Sequence, residues 1–297
     1  MSRNGRNGAW SRSDEAPTPA RAAGSGAPQP AVIKLGGRAL DLPGALDTFA
    51  RAAAEPGPPM VLVHGGGPEV SAWCARLGVE ARFHDGLRVT DDTTLEVATA
   101  VLAGLANKRL TAALRDAGAD AVGLAALDGG TVRVALHPDH ERLGRVGAVA
   151  GVDATLLNTL LAGGRLPVLA SIGAADGALL NLNADDVAAA LAASLGGPLL
   201  LLSDTPGLAI AGDMVPRVRS SEMDARIAHP DVQGGMRPKL NAARHAVDHG
   251  AAFARIAQWT PGVTLAQLLA ADGPGTTVVP EPASRSAPIP QPTGGRS

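Results

Sequence analysis

The stretch VLVHGGGPEV, residues 61–70, runs from an apolar segment through a histidine into three consecutive glycines. A short run of branched apolar residues that ends in glycine predicts a buried strand followed by a tight turn. Glycine loses more chain entropy on folding than any other residue, so three in succession need a physical reason. Where side chains are missing, backbone N–H groups can approach an anion closely. We therefore predict a strand, a turn that faces a ligand, and a helix with Pro68 in its first turn.

The rest of the chain repeats this alternation of strands and helices. Strand-like apolar runs also occupy residues 31–37, 121–126, 131–136, 166–173, 198–204 and 254–259. Helical spacing of apolar residues occurs over 45–54, 68–78, 91–118 (as one or two helices), 184–196 and 239–250. Strands that are apolar along their whole length and are separated by helices are typical of a mainly parallel sheet with helices on both faces.

The composition excludes several classes of function. The 297 residues carry a formal net charge of −2 and only 2% aromatic side chains, so neither a strong field nor stacking platforms for nucleic acid are expected. No apolar run reaches the roughly 18 residues of a membrane helix. The single cysteine, Cys74, excludes an internal disulfide and a cysteine-built zinc site and is typical of a reducing compartment. We expect a cytoplasmic protein with no nucleic-acid or membrane partner.

Both ends of the chain have the composition of disordered tails. Residues 1–30 and 280–297 are rich in Gly, Pro, Ser, Ala and Arg and cannot bury enough surface to offset the entropy of ordering. The first tail also lacks the apolar core of a secretion signal. We expect the folded part to span residues 31–279.

Lys34 stands inside an apolar strand that ends in Gly36 and Gly37. In open α/β sheets, ligands bind beyond the carboxyl ends of the strands. A lysine at such a place must reach solvent or meet an anion, and beside a glycine pair the natural anion is a phosphate. The alternative interpretation is a glycine turn beside a lysine at the edge of a strand.

Arg88 lies in the polar segment DGLRVTDD, residues 85–92, just before a helix. Its planar guanidinium suits bidentate binding of a substrate carboxylate. The alternative is a surface arginine that pairs with Asp91 or Asp92.

Two further segments concentrate polar residues at helix starts. NLNADD (181–186) has more capping groups than one helix needs, so Asp185 could instead orient a cation or a lysine. QGGMRPK (233–239) places a second lysine, Lys239, at the head of a helix, where the alternative is an ordinary loop lysine.

The glycine-rich segments do not fit three better-known motifs. The sequence contains no G-x-x-x-x-G-K-[ST] phosphate loop and no G-x-G-x-x-G that opens a helix. HGGG also occurs in the oxyanion loop of lipases, but that interpretation requires a G-x-S-x-G nucleophile elbow, which is missing.

Taken together, seven segments resemble the amino acid kinase family, and within it the members that act on N-acetyl-L-glutamate. They are VIKLGG (32–37), VLVHGGG (61–67), DGLRVTD (85–91), ANK (106–108), NLNADDVAAALAASL (181–195), LLLLSDTPGL (199–208) and GGMRPK (234–239). The resemblance extends over about residues 31–279 and includes the ending GPGTTVV.

This resemblance implies a fold and an activity. The fold would be a three-layer αβα sandwich around a mainly parallel sheet of about eight strands. Residues 31–190 would form the lobe that binds the amino acid, and residues 191–279 the lobe that binds ATP. The reaction would be transfer of the γ-phosphoryl group of MgATP to the side-chain carboxylate of N-acetyl-L-glutamate, the second step of arginine biosynthesis.

The resemblance also implies roles for individual residues. Lys34 and Lys239 would neutralise charge on the moving phosphoryl group, and Asp185 would hold both lysines in place. The substrate would be bound by Gly66, Gly67, Arg88 and Asn181. The nucleotide would be bound by Gly36, Gly37, Asp204, Thr205, Gly207, Leu208, Gly235 and Met236. The protein would provide no metal site of its own, because Mg²⁺ keeps ATP oxygens and water as its ligands.

Some features depart from the family pattern. Ala125 and Ala126 stand where many relatives have a Ser-Gly pair. The segment RIAQW (255–259) resembles dimeric members that arginine does not inhibit, whereas Pro238 is typical of the inhibited ones. We expect an arginine-insensitive homodimer, with a hexamer as the alternative.

Two other functions remain open at this stage. One is a kinase for aminoadipate or glutamate attached to a carrier protein, although the intact HGGGP, GLRVTD and NLNADD segments favour a free amino acid. The other is a non-catalytic regulatory paralogue, which the presence of Lys34, Lys239 and Asp185 disfavours.

Overall fold

A computed structural model of the chain describes residues 29–36, 44–260 and 262–281. The tails predicted at 1–30 and 280–297 therefore lie outside the described residues, except for residues 29–30 and 280–281. Gly37, which we predicted to bind nucleotide, also lies outside them.

The described residues form short strands and mostly longer helices in alternation. The strands are β1 (Ala31–Leu35), β2 (Met60–His64), β3 (Phe83–His84), β4 (Leu87–Arg88), β5 (Ala121–Ala125), β6 (Val132–Leu136), β7 (Val146–Val152), β8 (Leu166–Ala170), β9 (Ile172–Ala175), β10 (Ala178–Leu182), β11 (Leu199–Ser203), β12 (Ala209–Ile210), β13 (Asp213–Met214), β14 (Arg217–Arg219), β15 (Ala254–Gln258) and β16 (Thr276–Val279). The helices are α1 (Ala45–Ala54), α2 (Gly67–Arg76), α3 (Asp92–Thr99), α4 (Asn107–Asp116), α5 (His140–Leu143), α6 (Thr155–Ala162), α7 (Ala184–Leu195), α8 (Met223–Ile227), α9 (Met236–Asp248) and α10 (Leu265–Leu269).

Eight strands form the main sheet, in the order β14-β16-β15-β11-β1-β2-β8-β5. All neighbouring strands are parallel except β15 and β16, which are antiparallel. The mainly parallel sheet of about eight strands is thus confirmed. The central strands β11, β1 and β2 are buried at every position, which explains their continuous apolar sequence.

Successive residues of a strand point to opposite faces of the sheet, and the two faces are covered by different helices. On one face, Val32 and Leu201 pack with apolar residues of α7 and α9. On the other face, Ile33 and Leu200 pack with α1, α4 and α10. This arrangement is the predicted three-layer αβα sandwich. It also places Lys34, two residues after Val32, on the α7 side of the sheet.

A second sheet of four strands, in the order β6-β7-β10-β9, was not predicted. The prediction of one strand over residues 166–173 was wrong, because β8 belongs to the main sheet and β9 to the second sheet. The backbone changes partners at Ser171, whose carbonyl accepts from the N–H of Leu182 in β10. Residues 166–173 are buried throughout, so the apolar pattern gave no sign of this boundary.

Residues 92–116 form one uninterrupted helical segment, as the pattern over 91–118 predicts. Between α3 and α4, however, residues Ala100–Ala106 form a π-helix, which sequence spacing does not reveal. Such wide turns inside α-helices occur frequently at functional sites. Among the described residues, no helix combines the length and the apolar character that crossing a membrane requires.

Candidate active site

A buried ion pair joins the main sheet to the start of α7. The Lys34 Nζ atom lies 2.7 Å from Oδ1 of Asp185, and the two residues are only 7% and 6% exposed. The capping of α7 is done by Asn183, whose side-chain oxygen accepts from the N–H of Asp185 at 3.0 Å. Asp185 is therefore available for Lys34, as the surplus of polar residues in NLNADD suggested.

A first cavity of about 280 Å³ opens beside this pair. Its lining includes Lys34 together with the four residues predicted to bind substrate, which are Gly66, Gly67, Arg88 and Asn181. Residues that are far apart in the sequence thus meet around one space at the carboxyl ends of β1 and β2. This is the place where parallel α/β sheets bind ligands.

Only part of the Arg88 guanidinium is hydrogen-bonded to the protein. It is 8% exposed, and its Nη2 atom donates to the carbonyl oxygen of Gly67 at 2.8 Å and to Oγ of Ser71 at 2.7 Å. The guanidinium carbon lies 4.7 Å from the ring centre of Phe83. The buried Nη1 atom has no hydrogen-bond partner in the described part of the chain. Because a buried donor without a partner is costly, Nη1 is a donor for an acceptor outside the described chain, such as a water or a ligand.

The alternative of a surface ion pair for Arg88 does not hold. Asp91 caps α3 by accepting from the N–H of Thr94 at 2.8 Å, and Asp92 pairs with Arg145 at 2.8 Å. Burial lowers the pKa of the Arg88 guanidinium from its ordinary value, but an arginine remains charged.

Asn181 and Arg88 are connected through a residue that sequence analysis missed. The Asn181 Nδ2 atom donates to Oγ1 of Thr90 at 3.1 Å, and this hydroxyl donates to the carbonyl oxygen of Arg88 at 2.9 Å. Thr90 is fully buried. Ser71 was missed as well, although its position four residues after Gly67 on α2 was a usable signal, since such residues share one helix face.

The three glycines of the opening stretch meet different surroundings. A Cβ atom on Gly65 would lie 3.6 Å from Ala184, which is ordinary contact, and one on Gly66 would lie 2.8 Å from the flexible side chain of Leu102. A Cβ atom on Gly67 would meet no atom within 4 Å. The protein itself therefore leaves room for a side chain at Gly67, which is one of the residues that line the first cavity. A ligand bound there would be a physical reason for glycine at this position.

A second cavity of about 390 Å³ lies on the other side of Lys34. Its lining includes six residues predicted for phosphate or nucleotide, which are Gly36, Asp204, Thr205, Gly235, Met236 and Lys239. Lys34 lines both cavities. The arrangement can hold one ligand on each side of a single ammonium group.

The lining of the second cavity is built from loops and a helix start. A Cβ atom on Gly36 would lie 2.7 Å from the carbonyl oxygen of Leu202, so the backbone leaves no room for any other residue there. Lys239 lies in the first turn of α9, where its Nζ atom donates to the carbonyl oxygen of Gly235 at 3.1 Å. That Asp185 holds Lys239 as well as Lys34 stays a prediction.

Two predicted nucleotide residues, Gly207 and Leu208, do not line this cavity. Leu208 is buried, and its N–H donates to Oγ1 of Thr276 at 2.7 Å. A Cβ atom on Gly207 would lie 2.7 Å from the same hydroxyl. Both residues therefore help to anchor the loop that follows β11. Within the ranges that the structure describes, no three His, Cys, Asp or Glu residues are grouped in a way that could hold a metal ion.

Comparison with known proteins gives concordant matches. The sequence profile of the amino acid kinase family matches residues 29–258. The acetylglutamate kinase of Chloroflexus aurantiacus is 42% identical over 229 residues, which cover 76% of this chain and 90% of that protein. The acetylglutamate kinase of Rubrobacter xylanophilus is 42% identical over 254 residues, covering 83% and 96%. The solved structure of carbamate kinase from Giardia lamblia bound to AMP-PNP has the same fold, with a TM-score of 0.63 at 17% identity over 86% of this chain and 99% of that one.

The Lys34–Asp185 pair makes a prediction about stability. Asp185→Asn should lower the free energy of unfolding by about 3–5 kcal/mol, because it leaves a buried ammonium without its counter-charge. Lys34→Met combined with Asp185→Asn should be less destabilised than the sum of the single changes, by about 1–3 kcal/mol. Urea unfolding of the four proteins measures this coupling, and Asp224→Asn at the exposed Arg244 pair is the control that should change stability little. Additive single effects would contradict the proposed charge pairing.

Proposed function

We propose that this chain, which belongs to the amino acid kinase family, phosphorylates the side-chain carboxylate of N-acetyl-L-glutamate with ATP. The product would be N-acetyl-L-glutamyl 5-phosphate, the second intermediate of arginine biosynthesis. The names of the two relatives, each 42% identical over most of its length, support this substrate. The observation that carries the proposal is that Lys34 lines two cavities, one of which is also lined by Arg88, whose Nη1 atom has no partner in the described part of the chain.

On the substrate side, Arg88 would bind the α-carboxylate. Its Nη2 atom is already fixed by Gly67 and Ser71, so Nη1 can approach a carboxylate oxygen with little loss of side-chain entropy. Asn181 would contact the acetamido-bearing part of the substrate, in a position set by its bond to Thr90. The attacking side-chain carboxylate is ionised near neutral pH, so the reaction needs no general base.

Phosphoryl transfer would then depend on positioning and on charge. As the carboxylate oxygen forms its bond to the γ-phosphorus, the bond from that phosphorus to the β–γ bridging oxygen breaks and ADP leaves. Lys34 from β1 and Lys239 from α9 would neutralise the charge that spreads over the phosphoryl oxygens. Asp185 would keep the Lys34 ammonium at the junction of the two cavities.

The nucleotide would lie in the second cavity with its phosphates toward Lys34. The Gly36 N–H donates to the carbonyl oxygen of Leu202 at 2.9 Å, so Gly36 would allow close approach of the phosphates and Gly37 would donate its N–H to them. Asp204, Thr205, Gly235 and Met236 would line the rest of the nucleotide site. Mg²⁺ would arrive with ATP and keep nucleotide oxygens and water as ligands. On this view, residues 31–190 form the amino-acid lobe and residues 191–279 the nucleotide lobe.

We also propose that the active form is a cytoplasmic homodimer that arginine does not inhibit. The support is the RIAQW segment at residues 255–259, which resembles that of dimeric, insensitive relatives. Light scattering of the purified chain, with and without arginine, separates a dimer from a hexamer.

The decisive test of the reaction is acyl-phosphate formation from MgATP, trapped with hydroxylamine. Four candidate acceptors should be compared, which are N-acetyl-L-glutamate, glutamate, aspartate and aminoadipate. Product from N-acetyl-L-glutamate alone is the expected result. Product from none of them would contradict the proposal and favour a carrier-bound substrate or a non-catalytic role, which calorimetry of ATP binding would separate.

Arg88→Lys should raise the KM for the amino acid by about tenfold to 100-fold while the KM for ATP stays near the wild-type value, because one ammonium group cannot keep the bonds to Gly67 and Ser71 and also reach the carboxylate. Steady-state kinetics with each substrate varied in turn measures the KM for the amino acid and the KM for ATP separately. Arg82→Lys, at the exposed residue just before β3, the strand that pairs with β4, is the matched control and should leave both constants unchanged. An unchanged KM for the amino acid in Arg88→Lys would argue against its contact with the carboxylate.

Gly67→Ala should keep the stability of the fold but lower kcat/KM for the amino acid at least about tenfold, which corresponds to about 1.4 kcal/mol. The added methyl group would meet no protein atom within 4 Å and would project into the space of the ligand. Gly104→Ala, which also meets open space but lies outside the first cavity, is the control. Equal activity of the two variants would place the substrate elsewhere.

A further inference from the structure

A pair of buried polar side chains behind the glycine turn has no part in the mechanism described above. His64 is the last residue of β2 and is 4% exposed, and Asn107 begins α4 and is fully buried. The core around them consists mainly of Ala, Leu and Val. Polar groups in such a core are costly unless their hydrogen bonds are satisfied, so their retention needs a reason.

The orientation of the Asn107 amide follows from its partners. Its Nδ2 atom lies 2.9 Å from the carbonyl oxygen of Val168 and 3.2 Å from that of Leu124, and carbonyl oxygens can only accept. The Oδ1 atom accepts from the ammonium group of Lys108 at 2.9 Å. The nitrogen and oxygen of the amide are therefore distinguished by three groups with fixed hydrogen-bonding roles.

This orientation in turn decides which nitrogen of His64 carries the proton. The Asn107 Nδ2 atom lies 3.0 Å from Nε2 of His64, and because the amide nitrogen has no accepting role, Nε2 can only be the acceptor of this contact. The two amide hydrogens are shared among Nε2 and the carbonyl oxygens of Val168 and Leu124. The ring proton is then on Nδ1, which lies 2.9 Å from the carbonyl oxygen of Gly65 and donates to it. A chain of hydrogen bonds thus runs from the sheet through Asn107 and His64 to the first glycine of the turn.

A bond to the Gly65 carbonyl also orients the next N–H group. The peptide unit is planar and trans, so the carbonyl of Gly65 and the N–H of Gly66 point in opposite directions. Holding the carbonyl against the His64 ring directs the Gly66 N–H away from the ring. Gly66 lines the first cavity, beside Lys34.

The helical segment that contains Asn107 restrains Gly66 from a second direction. Leu102 belongs to the π-helix that precedes α4, and its Cδ2 atom would lie 2.8 Å from a Cβ atom on Gly66. The glycine turn is therefore approached from two neighbouring parts of this helical segment, by Leu102 of the π-helix and, through His64, by Asn107 at the start of α4.

We propose that His64 and Asn107 are positioning residues that aim the Gly66 N–H at the phosphoryl group in transfer. The inference rests on the proposed function for the identity of the reacting group. Burial lowers the pKa of His64, and the nearby Lys108 adds to this, while the bond to Gly65 partly opposes it. The ring therefore stays neutral at pH 7 and keeps one donor and one accepting nitrogen.

Two variants of His64 separate positioning from packing. His64→Asn keeps an N–H donor near the place of Nδ1 and so keeps the bond to Gly65, whereas His64→Gln reaches the place of Nε2 and keeps only the bond to Asn107. We expect His64→Gln to lower kcat about tenfold to 100-fold with both KM values within about threefold, and His64→Asn to stay within about threefold in kcat. Wild-type kcat in His64→Gln, or equal losses in the two variants, would overturn the inference.

A spectroscopic measurement tests the same inference without any activity. In protein labelled with ¹⁵N-histidine, the ring of His64 should show a proton on Nδ1 and none on Nε2, and Asn107→Ala should shift the Nε2 resonance by removing its donor while the proton stays on Nδ1. The backbone amide resonance of Gly66 should shift in His64→Gln and stay near its wild-type position in His64→Asn. A ring protonated on Nε2 in the wild type overturns the inference. Absence of acyl phosphate with every substrate would instead count against the proposed function, and the spectra would still decide the placement of His64.

Discussion

The buried charge of Lys34 is the constraint on which the rest of the site depends. It lies in β1, between β11 and β2 in the main sheet, where water cannot solvate an ammonium group. Its cost is offset by one carboxylate, Asp185, at 2.7 Å in the first turn of α7. The sheet and this helix must therefore pack so that the two groups meet. Lys34 also lines both cavities. The contact between Lys34 and Asp185 therefore serves both the stability of the fold and the chemistry of the site.

The remaining groups of the first cavity are fixed by contacts with the protein before any ligand arrives. Arg88 is held by Gly67 and Ser71, and Asn181 is held through Thr90. Side chains that are already ordered lose less entropy when a ligand binds, so a preorganised site binds with a smaller entropy cost. The glycine turn contributes backbone instead of side chains to the lining of this cavity, and a Cβ atom on Gly67 would meet no protein atom within 4 Å.

Much of this arrangement was predictable from local sequence, because the chemistry stands at the ends of strands. Lys34, Arg88 and Asp185 are charged residues at positions where the pattern predicts burial or a helix start, and such conflicts can be recognised without a structure. The eight-stranded sheet followed from the continuous apolar runs, and the open choice for Arg88 was settled once Asp91 and Asp92 were found with other partners.

The features that escaped prediction depend on contacts across the fold. Thr90 became visible only when Asn181, far away in the sequence, was found bonded to its hydroxyl. His64 and Asn107 are 43 positions apart, and their 3.0 Å contact agrees with the bond from Nδ1 to the Gly65 carbonyl in placing the ring proton on Nδ1. The second sheet and the π-helix were missed because apolar spacing is continuous through Ser171 and through residues 100–106.

The central claim, that Lys34 acts on the phosphoryl group in transfer, is tested most directly by measuring turnover and ATP affinity for Lys34→Ala. We expect kcat to fall by about 10³-fold or more while the Kd for ATP stays within about tenfold of the wild-type value. A loss of ATP affinity that accounts for the whole defect would contradict the claim and make Lys34 a residue that only binds the nucleotide.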